Sequence, residues 1–214
     1  MLKLYSYFRS SASYRVRIAL HWKRLKFEYL PVHLVKDGGQ QNLPEFRRIN
    51  PMGHVPALDH DGFLLSESMA IIQYLDDVFP QHSLLPVNPR DKAQVLQLCE
   101  MVNSGIQPLQ NMKVQKLLEQ GFQLSKADSD AFVRHWIQDG CAKLEKVLEG
   151  TAGTYCFGGE VTAADAFVIP QCFAARRFGV GIEQFANLAR ILENAGKVEA
   201  FQKAHPERQP DFQA

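Results

Sequence analysis

The chain has 214 residues, 46% of them apolar and 22% charged, with 24 Lys and Arg against 23 Asp and Glu. A net charge of +1 gives no electrostatic basis for holding nucleic acid or an anionic membrane, and no apolar run approaches the ~20 residues of a membrane span. The length suits one large domain or two small ones.

Met1–Tyr5 leads straight into a strand pattern, so neither a signal nor a transit peptide is expected. Leu2–Tyr7 predicts a short buried strand, Tyr14–Trp22 a helix and Phe27–Val32 a second strand. A β-α-β unit this compact implies that the two strands run parallel. Residues 35–42 read as a polar loop, and Pro44–Arg48 as a turn of helix stopped by Asn50-Pro51. Asp59-His60-Asp61-Gly62 carries a hairpin turn signal, after which Phe63–Leu65 resumes a strand. Ser66-Glu67-Ser68 then precedes an apolar helix, Met69–Leu75.

Residues 81–89 are Pro-rich and read as a linker; everything after them looks helical. Val95, Leu98, Cys99, Val102 and Ile106 recur at helical spacing, and Pro108 ends or kinks that helix. A second helix covers Leu109–Leu118, and Gly121–Asp128 is a loop. The stripe from Val133 to Leu148 predicts a long helix closed by Gly150. Thr162-Ala163-Ala164-Asp165 has capping-box spacing, with Asp in place of Glu, and opens a helix to Phe178. Asp165 therefore reads as a structural cap. Leu188–Phe201 marks one last helix, and the tail after Pro206 reads as polar surface. Cys99, Cys141, Cys156 and Cys172 show no CxxC spacing and read as buried reduced thiols. The histidines form no ligand spacing, so no metal is expected, and His54 reads as a structural or solvent-facing loop residue.

Between the first strand and the first helix lies Ser10-Ser11-Ala12-Ser13, four small residues, three with hydroxyls. Ser is a good N-cap, and the first turn of a helix presents unpaired N–H groups at the positive end of its dipole. An anion placed there is stabilised.

The run Tyr7–Leu20 resembles the glutathione-binding loop of the zeta-class glutathione transferases, whose signature is S-S-C-x-W-R-V-R-I-A-L. Here Ala12 stands where that class has Cys, and Tyr14 where it often has Trp. Asn50-Pro51-Met52, Val55-Pro56, Gly105–Asn111, and Val168–Gln171 with Arg177-Phe178 are also similar to that class. The resemblance covers nearly the whole chain. It implies an α/β plus all-α architecture: a thioredoxin-like glutathione-binding domain over 1–80, the linker 81–89, and an all-helical substrate-binding domain over 90–214. It further implies glutathione as cofactor and a homodimer, while the reduced thiols point to a cytoplasmic location.

The activity implied is glutathione-dependent cis–trans isomerisation of maleylacetoacetate, or of maleylpyruvate, to the fumaryl isomer in tyrosine, phenylalanine and aromatic-compound breakdown. The thiolate adds to the cis double bond, the bond rotates, and elimination returns the trans product and glutathione. Lowering a thiol pKa from ~8.5 to ~6.5 requires about 2.7 kcal/mol. A helix N-terminus supplies roughly 0.5–2 kcal/mol and a hydroxyl donor about 1.5–3 more, so the two together suffice. Ser10 and Ser11 are both candidate donors. Arg9 and Arg177 are the cations chosen to grip the diacid and the developing enolate. Arg176 and Arg15 are read more readily as ion-pair or structural residues, although Arg15 lies within the binding loop with Ala12, Ser13 and Tyr14. The resemblance also implies a cis Val55–Pro56 bond whose Val55 backbone pairs with the tripeptide. It puts Glu67 and Ser68 at the γ-glutamyl end and Gln41 at the glycyl end. Gln107 and Asn111, one helical turn apart, reach ligand from the second domain, with Met112 beside them and Lys113 adding charge. The competing readings are a general transferase that consumes glutathione on electrophiles and a non-catalytic module of the same fold.

Overall fold

The computed structural model describes residues 1–213, apart from the Asp37 side chain. The chain divides into two compact units, one made of Met1–Leu85 with the C-terminal segment from Gly196, the other of Pro86–Ala195. The first unit holds a four-stranded sheet in the order β2-β1-β3-β4. Its strands are β1 (Leu2–Ser6), β2 (Phe27–Pro31), β3 (Ala57–His60) and β4 (Phe63–Ser66). β1 runs parallel to β2 and antiparallel to β3, with Leu4 opposite both Tyr29 and Leu58. The hairpin joins β3 to β4 through Asp61 and Gly62 alone, with φ of 51° and 90°. Two positive φ values match the twist of the flanking strands, and Asp-Gly is the sequence that tolerates them. Together with helices α1 (Ser11–Trp22), α2 (Pro44–Ile49) and α3 (Ser68–Val78) this is a thioredoxin-like domain.

Every residue of α1 from Ser13 to Leu20 is buried, so this helix is enclosed rather than amphipathic. A buried ion pair at 2.7 Å joins Lys23 at its end to Asp76 of α3. Asp76 also accepts from the N–H groups of Leu84 and Leu85, and Lys23 donates to the carbonyls of Phe79 and Gln81. The start of the linker is thereby tied to the first unit.

The second unit contains α4 (Pro89–Glu100), α5 (Met112–Lys116), α6 (Lys126–Thr151), α7 (Ala163–Arg177) and α8 (Ala186–Ala195). α7 is buried from Ala163 to Cys172 and is packed by α4 and α8. The Pro108 region differs from a simple kink. α4 passes into a wide π-type turn over Met101–Ile106, then a 3-10 turn over Gln107–Gln110, and only then into α5. A Cβ at Gly140 of α6 would lie 2.5 Å from the Ile106 side chain, so this turn approaches α6 as closely as glycine allows. The buried side-chain amides of Gln110 and Gln171 exchange hydrogen bonds of 2.9 and 3.3 Å, which hold the turn against α7.

Two expectations need correction. The pattern Leu188–Phe201 is two helices, α8 and α9 (Glu199–Ala204), separated at residues 196–198. Gly196 interrupts the period, and from there the chain belongs to the first unit, where α9 packs on α1. The tail is also more than polar surface: Asp211 accepts from the Phe8 N–H at 3.0 Å and the Tyr29 hydroxyl at 2.7 Å, and Phe212 stacks edge-on with Phe8. The helical unit is therefore not a continuous 90–214.

All four cysteines are free and buried. No helix among the described residues is long and apolar enough to cross a membrane. Asp165 caps α7: its two oxygens accept from the N–H groups of Cys156 and Thr162, both at 2.8 Å. Burial raises its pKa while these hydrogen bonds oppose the rise. Asp165→Ala leaves two buried donors unsatisfied and is expected to lower stability by about 2–4 kcal/mol. Urea denaturation measures this, and an unchanged midpoint would remove the cap from the account of the fold.

Candidate active site

The corner between β1 and α1 is built from below by one side chain. Arg17 is fully buried. Its guanidinium donates to the carbonyls of Tyr7 (3.3 Å), Phe8 (3.0 Å) and Ala204 (3.0 Å), and to the Ser6 hydroxyl (3.2 Å). Burial lowers its pKa to about 10, against the pull of Tyr29, Tyr14 and Asp211, so it remains charged at neutral pH. The sequence reading passed over Arg17. Its one signal was an arginine inside the apolar run Val16–Leu20, on a helix with no polar face to receive it.

Above Arg17, Ser10 is the N-cap of α1, with φ −71° and ψ 117°, and its hydroxyl oxygen accepts from the Ser13 N–H at 3.2 Å. Accepting that bond leaves the Ser10 proton for an outside acceptor. The Ser11 hydroxyl makes no hydrogen bond among the described residues. Ser11 and Ala12 are partly exposed at the first turn, whereas Ser13 and Tyr14 are buried. Burial raises the Tyr14 hydroxyl pKa, so it stays protonated. Arg9 is exposed, its guanidinium carbon 5.9 Å from the ring centroids of both Tyr7 and Phe8.

Arg15 lies in the interior rather than in an open loop. Its Nη1 donates to the Ser68 hydroxyl at 3.0 Å, tying α1 to the first residue of α3. Glu67, just before α3, is exposed and holds φ 70°, a left-handed conformation rare for a non-glycine residue. Such strain costs about 1–3 kcal/mol and gathers at ligand-binding positions. The Val55–Pro56 peptide is cis. Neither backbone polar group of Val55 has a hydrogen-bond partner among the described residues. The Gln41 amide donates to the Leu34 carbonyl at 3.1 Å, and its buried Oε1 has no partner among the described residues. The Asn50 amide donates to the His54 carbonyl at 2.8 Å, so His54 belongs to a braced loop. The first unit thus carries a hydroxyl-bearing helix start, an unpaired strand-like peptide unit and a second helix start.

The family described as Glutathione S-transferase, N-terminal domain, matches residues 4–83. Maleylacetoacetate isomerase of Mus musculus is 44% identical over 211 residues, which span 99% of this chain and 95% of that protein. The chain belongs to the glutathione transferase family. Its class follows from solved structures. The holo structure of maleyl pyruvate isomerase, described as a bacterial glutathione S-transferase in the zeta class, superposes with a TM-score of 0.94 at 35% identity, covering 99% of this chain and 100% of that one. Maleylacetoacetate isomerase of Anaeromyxobacter dehalogenans, with bound GSH in its active site, gives 0.89 at 40% identity over 99% of this chain and 97% of that one. In this zeta-class transferase the Cys of the class signature is replaced by Ala12.

The remaining candidates lie in the second unit. Arg177 ends α7, is exposed, and sits 4.9 Å from the centroid of the Phe178 ring. Its neighbour Arg176 pairs with Glu183 at 2.6 Å on the surface. Gln107 begins the 3-10 turn, and Asn111 caps α5 by accepting from the Lys113 N–H at 3.0 Å. The break between them means that Gln107 and Asn111 are not one regular helical turn apart. Met112 and Lys113 are exposed.

Arg17→Met removes a buried cation and strips the donor from the Phe8 and Ala204 carbonyls and the Ser6 hydroxyl, while the Tyr7 carbonyl keeps the Ser10 N–H at 3.0 Å. A loss of about 3–5 kcal/mol is expected, with faster amide exchange at Arg9 and Ser10. Thermal unfolding and hydrogen exchange measure the two effects; if both matched the parent protein, the corner would be held by something else.

Proposed function

We propose that this protein is a glutathione-dependent cis–trans isomerase that converts maleylacetoacetate, or maleylpyruvate, to the fumaryl isomer in aromatic amino acid and aromatic-compound breakdown. The observation that carries the reading is the Ser10–Ser13 corner, a capped helix start with two hydroxyl protons free to donate, in a chain of this family. The residues fit glutathione, a tripeptide with two carboxylates, an ammonium group and a thiol. The Val55 peptide unit offers a donor and an acceptor to an extended backbone. Ser68 opens α3, and its hydroxyl, already accepting from Arg15, has its own proton for a carboxylate. Glu67 can accept from the ammonium group, and the buried Gln41 Oε1 from an N–H at the glycyl end.

When bound, glutathione supplies a thiolate for reversible addition to the maleyl double bond. Ser10 and Ser11 donate hydrogen bonds that, with the α1 dipole, keep sulfur charged at neutral pH. Arg9 holds a substrate carboxylate and lowers the energy of developing enolate charge. Arg177 serves as a second carboxylate clamp, and Gln107, Asn111 and Lys113 contribute polar contacts from the second unit.

We also infer a cytoplasmic homodimer. Four buried thiols with no disulfide fit a reducing compartment. Phe63 and Leu64 on the edge strand β4 and Val78 on α3 are 50%, 43% and 42% exposed, apolar surface of the kind a second copy covers. Light scattering should give twice the monomer mass.

Arg9→Ala and Arg177→Ala should each reduce isomerase turnover by about tenfold or more while glutathione affinity stays nearly intact. Parent-like turnover in both would exclude them from the chemistry. Ser10→Ala or Ser11→Ala should raise the bound-thiol pKa by about one unit, read by ultraviolet titration of the thiolate. The decisive assay follows loss of the cis substrate with trace glutathione: many turnovers per glutathione are expected, and one-for-one consumption would mean a conjugating transferase instead.

A further inference from the structure

The first unit carries a second concave site, formed where α1 ends against α9. A cleft of about 600 Å³ is lined by His21, Trp22, Arg24, His82, Glu199 and Lys203, among others. Arg24 and Lys203 are cations and Glu199 is a carboxylate, whereas burial and the nearby Lys203 hold the His21 pKa below its usual value and leave it a neutral ring with a nitrogen to donate. Glu199 is already taken: Lys203 bonds it at 2.7 Å, and Lys203, Arg24 and His21 together hold its pKa down. An adjoining cleft shares His21, Glu199 and Lys203 and adds Lys26 and Arg208. Across the two clefts Arg24, Lys26, Lys203 and Arg208 thus stand against one carboxylate, Glu199.

The backbone at this cleft is chosen against its own preference. α1 ends in a Schellman motif, with Leu25 N–H bonding Leu20 O and Arg24 N–H bonding His21 O, both at 3.0 Å. The residue at its left-handed position is usually glycine, yet here it is Arg24, at φ 56°. His82, also non-glycine, has φ 52°. Two strained positions thus bring Arg24 and His82 into one cleft. The Arg24 guanidinium has no hydrogen bond or ion pair among the described residues. Beside it the indole N–H of Trp22 is buried without an acceptor among the described residues.

We propose that this cleft binds a small organic dianion, held through a phosphate or a pair of carboxylates by Arg24, Lys203, His21 and His82, with Trp22 as its apolar wall. Its volume falls in the range that takes a small molecule rather than a bare ion. The guanidinium offers two-point recognition of an oxyanion, and Lys203 a point charge.

The test uses Trp136→Phe, which leaves Trp22 as the one tryptophan. Its fluorescence is titrated with inorganic phosphate and, separately, with succinate, each at ionic strength held constant with sodium chloride. A saturable change with either anion is expected; phosphate alone would identify a phosphate group, succinate alone a dicarboxylate. Arg24→Gly suits the left-handed backbone and should fold normally, while raising Kd about tenfold or more. Lys203→Gln, on the exposed side of α9, should weaken binding in the same direction. Glutathione affinity should stay within about twofold in both variants, whether or not the isomerase reading holds. No saturable response to either anion, an unchanged Kd in Arg24→Gly, or a parallel loss of glutathione binding would each overturn the proposal.

Discussion

The buried guanidinium of Arg17 is the constraint on which the corner depends. A strand that ends and a helix that begins within four residues leave carbonyls without a ladder and without a helical partner. The Phe8 carbonyl is one of these, buried where water cannot satisfy it, and the Tyr7 carbonyl accepts from the Ser10 N–H with room for a second donor. Arginine carries five donors in a fixed planar fork, so one side chain bonds both, together with the Ser6 hydroxyl and Ala204. Burying the cation is costly, and the cost is offset only because its acceptors are already in place. The bond to Ala204 also ties the C-terminal segment to the first unit. Ser10 and Ser11, just beyond these carbonyls, stay partly exposed.

Much of the first unit was legible in the sequence. Short apolar runs marked β1 and β2, Asp61-Gly62 signalled the two-residue hairpin, and Thr162–Asp165 announced its helix. These are local signals, each settled within a few residues. The failures were non-local. The apolar period of α8 continues into α9 almost in phase, so Gly196 read as an interior residue instead of the point where the chain changes unit. The tail is polar on average, yet one carboxylate and one ring, Asp211 and Phe212, reach partners some two hundred residues away in sequence. No window of composition can register a contact of that kind.

The charged residues show the same limit at finer scale. Arg15 and Arg17 are two apart, and a helix surface cannot place both on one solvent face. In fact neither is there: one is bound to Ser68, the other to the corner. Arg176 and Arg177 are adjacent and indistinguishable by type, but Glu183 occupies the first and Phe178 lies under the second. Gln110 and Gln171, each part of a separate resembling segment, turn out to be one buried amide pair. Sequence patterns found both segments without showing that they touch.

The interior placement of sulfur has a chemical consequence. Activated alkenes of the maleyl type alkylate accessible thiolates indiscriminately. Cys99, Cys141, Cys156 and Cys172 are each at most 1% exposed. Burial pushes the Cys141 thiol up to about 12 and raises those of Cys156 and Cys172 as well. A cysteine at the position of Ala12 would sit at the helix start, where thiolates form most readily. Without one, the chain has no sulfur nucleophile of its own for an electrophile to trap, and its sensitivity to such reagents is that of its core: negligible while folded, and complete once unfolded.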